Sequence, residues 1–197
     1  MDVRDLNPLA MVLTVMIVID ALITPIILLW AGLAPDNYSL TVMPVAGAVD
    51  GWTMGFRILM MIVFAVWIYR AGTNLLAAGY DDLEFTPASR IWWFAVPIAC
   101  LFKPFQGMRE LWNASHNDTD YSATNEIVAF WWASWIVMSF FTPVMRLFAG
   151  PAGPGVTSMW VAVAVDGAAA VMAILLVQRI TAAQSRLSND ELDEVFA

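Results

Sequence analysis

The stretch Arg90–Ser115, RIWWFAVPIACLFKPFQGMRELWNAS, decides how the chain folds. Its apolar centre runs from Ile91 to Phe102 and holds Pro97. A helix that crosses a bilayer needs about 20 apolar residues, so this centre is too short to span. It is also too apolar to lie in water unburied. The sequence on either side reads as membrane helices arranged around it.

Upstream, a polar leader gives way at Pro8 to an apolar run that reaches Gly32, with Asp20 in its middle and Pro25 further on. The run is longer than the core of a secretory signal, and Asp2 and Asp5 offset Arg4 in the leader, so an uncleaved first span is expected. Leu33 to Val49 is rich in turn formers and reads as a loop. A second span, roughly 50–70, carries Arg57 and continues in helical composition to a stop at Gly79. Tyr80–Ser89 is an acidic loop. Downstream of the short apolar segment, Phe105, Met108 and Leu111-Trp112 recur at helical spacing opposite Gln106, Arg109, Glu110 and Asn113. That pattern predicts an amphipathic helix, 104–115, lying at the membrane interface. Two further spans follow, 125–148 and 156–180, joined by a tight loop at Gly150–Gly155. The second of these holds Asp166. Residues 181–197 read as an acidic tail outside a single bundle of residues 1–180. The expected fold is thus an all-α membrane protein: four transmembrane helices, a re-entrant or interfacial hairpin at 91–102, and a short amphipathic helix.

Composition agrees. The chain of 197 residues is 60% hydrophobic and 13% charged, with mean hydropathy +0.70, whereas a soluble domain is about half apolar and a quarter charged. The net charge of −8 gives no bulk affinity for nucleic acid. One Cys, Cys100, excludes an internal disulfide, and one His, His116, excludes a bis-histidine haem within the chain. His116 lies in a polar loop and reads as solvated. The Trp92-Trp93 and Trp131-Trp132 pairs read as interfacial anchors, ahead of the alternative that they flank a flat pigment or quinone. No cofactor or metal is expected.

Basic residues decide between four spans and five. If 91–102 turns back, seven of the nine Lys and Arg lie on the side of the termini; if it crosses, four do. The positive-inside bias favours the hairpin and two cytoplasmic termini. Irregular backbone at membrane depth needs cover from neighbouring spans, so the segment is expected to pack on the bundle and not to face lipid.

The strings WIYRAGTNLLAAG (Trp67–Gly79), FTP (Phe85–Pro87) and WWFAVPIACLFKPFQGMRELWNAS (Trp92–Ser115) resemble the domain of unknown function 4328 family of bacterial membrane proteins. The resemblance implies a bacterial inner-membrane protein and no particular activity.

Two constellations could carry function. Asp20, Arg57 and Asp166 lie inside spans, at similar depth by a rise of about 1.5 Å per residue. Ionisable residues there are costly, usually paired and often functional. A structural ion pair is the leading reading, with a proton or cation site behind it; Asp166 shares a face with Ala162, Ala170 and Ala173 and is expected to point into the bundle. Arg70, Asn74, Lys103, Arg109 and Glu110 fall at the cytoplasmic edge, as an anion or headgroup pocket or as a network that fixes the hairpin. In the second case Glu110 pairs with Arg70 or Lys103, and Asn74 satisfies backbone freed by Pro97. No P-loop, dinucleotide fingerprint, zinc motif or nucleophile elbow is present. A non-catalytic scaffold or accessory subunit is expected, embedded in the lipid bilayer, with a membrane-protein partner or a homo-oligomer. The alternative is a small oligomeric transporter or channel using Asp20, Arg57 and Asp166.

Overall fold

The computed structural model describes residues 3–148 and 155–196, and among these all regular structure is helical. The expected loop at Gly150–Gly155 lies mostly outside them. Helix α1 (Asn7–Leu33) starts with Pro8 in its first turn, where a missing N–H costs nothing, and continues through Pro25. The segment expected as a loop is instead helical. It forms α2 (Pro35–Thr41), a 3-10 turn (Met43–Val45), and the start of α3 (Ala46–Ala77). The reason is local: Pro35 and Asp36 suit the first turn of a helix, so these turn formers begin an element where a break was expected. At its other end α3 stops as the sequence predicts. Gly79 takes φ +87, and the amides of Gly79 and Tyr80 return to the carbonyls of Leu76 and Leu75, a Schellman stop that only glycine adopts freely.

Among the described residues, three stretches are long and apolar enough to cross a membrane: Asn7–Leu33, Pro35–Ala77 and Val156–Arg186. Helix α4 (Ser89–Trp92) opens the short apolar segment, which continues as two 3-10 turns around Pro97. Helices α5 (Lys103–Ser115), α6 (Glu126–Phe148) and α7 (Val156–Phe196) complete the chain. The backbone of Arg4, the side chain of Asn74 and the side chain of Gln184 are hydrogen-bonded together. The start of α1, the end of α3 and the middle of α7 therefore share one end of the bundle.

The residues that flank the apolar segment lie close together: Arg90 bonds to Gly107 and Glu110 of α5, and Lys103 pairs with Glu84. The segment's turns hold their own backbone bonds, with Cys100 N–H on the Val96 carbonyl (2.9 Å) and Leu101 N–H on that of Ile98 (3.0 Å). Ile98 adopts φ +66, a strained region for a β-branched residue. One face packs on α6: Phe94 meets Trp132 and Trp135 edge-on, and Trp132 Nε1 donates to the Leu101 carbonyl at 3.1 Å. The other face is open, with Ile98 75% and Trp92 68% exposed. The expectation of full cover thus holds for one face alone.

Two further expectations are corrected. Helix α5 is a core element and not a surface one: Met108, Leu111 and Ala114 are fully buried, and so are Glu110, Asn113 and Ser115 on its polar side. Those polar groups go inside because the neighbouring loops supply partners for Glu110 and Asn113, and Gln184 of α7 supplies one for Ser115. The bundle also does not end at Ile180. Thr181 and Gln184 are buried and bonded to α3, so the tail begins at least a turn later.

Candidate functional site

The closed end of the bundle is organised by Arg90 and Glu110. Arg90 follows the acidic loop and points inward, 1% exposed. It passes between two glycines. A Cβ on Gly72 of α3 would lie 2.8 Å from Arg90 Nη1, and one on Gly107 of α5 would lie 3.3 Å from Arg90 Cγ. Arg90 Nε donates to the Gly107 carbonyl at 3.3 Å, and Nη2 donates to Glu110 Oε1 at 2.6 Å. The Glu110 carboxylate also accepts the amides of Glu84 (2.7 Å) and Phe85 (3.1 Å). Burial draws the Arg90 guanidinium below its ordinary pKa, and Glu110 offsets part of that. Both oxygens of Glu110 are committed, so this carboxylate ties the acidic loop, α4 and α5 into one unit.

The expected partners of Glu110 are therefore corrected: it pairs with Arg90. Lys103 pairs with Glu84 (3.0 Å) at the surface, over the Phe85 ring. Arg109 lies over the Phe105 ring, and its Nε is buried with no hydrogen-bond partner among the described residues. Arg70 is half-buried on α3 and makes no ion pair among the described residues.

Asn74 heads a second network. Its amide accepts the Arg4 N–H at 2.9 Å, donates to the Arg4 carbonyl at 2.8 Å, and donates to Gln184 Oε1 at 3.1 Å. It does not serve the backbone around Pro97, which bonds within itself. Gln184 in turn donates to the Ala71 carbonyl (3.0 Å) and Ser115 Oγ (2.9 Å), and Trp67 Nε1 donates to Thr181 Oγ1 (3.1 Å). Gln184 thus joins α3, α5 and α7, and Asn74 adds the leader ahead of α1. Sequence reasoning missed Gln184, Thr181, Ser115 and the inward course of Arg90. A signal existed for the first two: Val177, Ile180, Thr181 and Gln184 keep one helical face four residues past the last apolar run.

Of the three charges Asp20, Arg57 and Asp166, two are in contact. Arg57 Nε donates to Asp20 Oδ1 at 2.9 Å, with Asp20 nearly buried and the Arg57 side chain 41% exposed. Asp166 is half-buried on α7. Ala162, Ala170 and Ala173 are half-buried on the same helix.

The aromatic pair Trp131-Trp132 is internal packing, not an interfacial anchor. Both rings are buried, against Phe64 and Phe94. His116 is exposed, as expected, but is held: its ring stacks on Trp112 at 4.5 Å and its Nδ1 lies 2.8 Å from the Trp112 carbonyl. Among the described residues no three His, Cys, Asp or Glu side chains gather as a metal site.

No curated protein and no solved structure matches the chain. A family profile described as "Domain of unknown function (DUF4328)" matches residues 39–182. The matched span holds the whole Arg90–Glu110 cluster, and it leaves out Arg4 and Gln184 of the Asn74 network and Asp20, the partner of Arg57. That match covers well over half the sequence, and it carries the same strings, from Trp67 to Ser115, around which the closed end is built: the chain belongs to the DUF4328 family.

Proposed function

We propose that the chain is a bacterial inner-membrane protein of four spans, with both termini cytoplasmic and residues 91–102 turning back as a re-entrant wedge. In this reading it is a non-catalytic scaffold or accessory subunit of a membrane complex. Three features support the topology. The start of α1, the end of α3 and Gln184 are bonded at one end; Glu84 and Lys103 pair across the base of the hairpin; and α6 runs for 23 residues, about 34 Å. The single observation behind the non-catalytic role is Glu110. A general acid or base needs an oxygen free to meet a substrate proton, and this carboxylate holds Arg90 and two backbone amides.

The test labels single cysteines with a membrane-impermeant maleimide in a Cys100→Ser background. Arg186→Cys should react only from the cytoplasmic face and Ser39→Cys only from the periplasmic face. Arg186→Cys reacting from the periplasm alone overturns the topology. Native mass measurement in nanodiscs should give a homo-oligomer or a complex of fixed stoichiometry; a monomer that passes solutes overturns the scaffold reading.

The second reading, a small oligomeric transporter or channel, draws on Arg57. Its side chain pairs with Asp20 in mid-span and stays 41% exposed, as a group lining a polar path would. That reading requires Asp166→Asn to alter flux in proteoliposomes without unfolding the protein.

A further inference from the structure

A groove runs along the outside of the closed end, between α1 and α7. It consists of two adjoining clefts of about 330 and 370 Å³, which share Asn7 and Thr181. The cleft nearer the chain start is lined by Arg4, Asp5, Asn7 and Ser185. The other is lined by Ala10, Met11, Thr14, Val15 and Ala182. Thr14 gives its hydroxyl to the Ala10 carbonyl at 2.8 Å, and the exposed Gln178 also lines this cleft, so its floor is mainly, not wholly, apolar. Polarity therefore changes from ionic to mainly apolar along one channel, over about 12 Å of α1 from Asn7 to Val15.

The charges at the ionic end are opposite and adjacent in sequence. Arg4 and Asp5 are exposed, and neither makes an ion pair among the described residues. One Asp5 oxygen, Oδ1, accepts the Asn7 amides, and among the described residues no bond holds the other. A guanidinium beside a carboxylate complements a phosphodiester beside an ammonium, and an apolar channel running on from them complements an acyl chain. We propose that this groove binds a zwitterionic phospholipid with a primary ammonium headgroup: phosphate on Arg4, ammonium on Asp5, acyl chain along Met11 and Val15. An anionic phospholipid meets Asp5 without a counter-charge, and a choline headgroup offers Asp5 no hydrogen to donate. The groove thus selects on the headgroup and not merely on chain length.

This inference rests on the chain spanning a bilayer with the closed end at one interface. The test uses the delipidated full chain in detergent, titrated with phosphatidylethanolamine, phosphatidylglycerol or phosphatidylcholine and read by native mass spectrometry. Phosphatidylethanolamine should be retained about fivefold better than either competitor, the size of one exposed charge contact. Asp5→Asn keeps the oxygen that caps Asn7 and should erase the preference over phosphatidylglycerol. Arg4→Gln should weaken retention of all three. Ala182→Trp should abolish retention by filling the groove, whereas Val12→Trp, on another face of α1, should leave it unchanged; equal melting temperatures for the two show that both are folded. Equal retention of the three lipids, or retention by Ala182→Trp equal to that by Val12→Trp, overturns the proposal. Insertion is read separately by protease protection in vesicles. A chain that inserts but shows no headgroup preference defeats the lipid site alone, and one that does not insert defeats the topology as well.

Discussion

Glu110→Gln is the sharpest perturbation of the closed end. The change keeps the shape and removes the charge. Arg90 then sits 1% exposed beside a neutral amide, and the new NH2 faces either the guanidinium or the backbone amides of Glu84 and Phe85, donor against donor. Removing one partner of a buried pair costs about 3–5 kcal/mol. In a chain of this length each kcal/mol shifts the melting temperature by about 2–4 °C, so the fall should be about 6–20 °C. Arg90→Met should cost less, because Glu110 keeps its two amide donors. Arg90→Met combined with Glu110→Gln should be more stable than Glu110→Gln alone, since the stranded guanidinium is gone. Glu84→Gln is the control: its pair with Lys103 is solvent-exposed, at 66% and 27%, and its loss should cost less than about 1 kcal/mol. Melting followed by size-exclusion fluorescence in one detergent reads all four variants. Equal losses for Glu110→Gln and Glu84→Gln, or no recovery in the double variant, refute the reasoning.

Two further substitutions test the packing and the mid-span pair. Gly72→Ala puts a methyl 2.8 Å from Arg90 Nη1 and 3.2 Å from the Pro87 backbone, so it should destabilise by about 1–3 kcal/mol, whereas Gly55→Ala meets nothing within 4 Å and should be neutral or better in the same melting assay. Asp20→Asn leaves Arg57 without its carboxylate; its melting temperature should fall, and Arg57→Met added to Asp20→Asn should restore part of it, while additive losses in the double variant would count against a structural pair.

The long helices were legible because apolar runs of span length have few other fates. Gly79 was legible because a left-handed stop needs glycine. The pairing of Arg57 with Asp20 could be foreseen, since charges in such runs seek each other. The partner of Glu110 could not. Arg90 reaches it only because the acidic loop folds back across two glycines, and nothing near Glu110 in sequence encodes that path. The same limit hid Gln184: hydropathy stops at Ile180, but the helix and its buried face do not. Leu33–Val49 misled because proline and aspartate begin helices as readily as they end them.

The way Asn74 holds the leader has its own consequence. Its amide pairs with the N–H and the C=O of residue 4, as a neighbouring strand would. What is gripped is therefore the main chain of one residue, indifferent to whatever side chain that position carries. The anchor can stay fixed while the group it presents to the outside is exchanged at will.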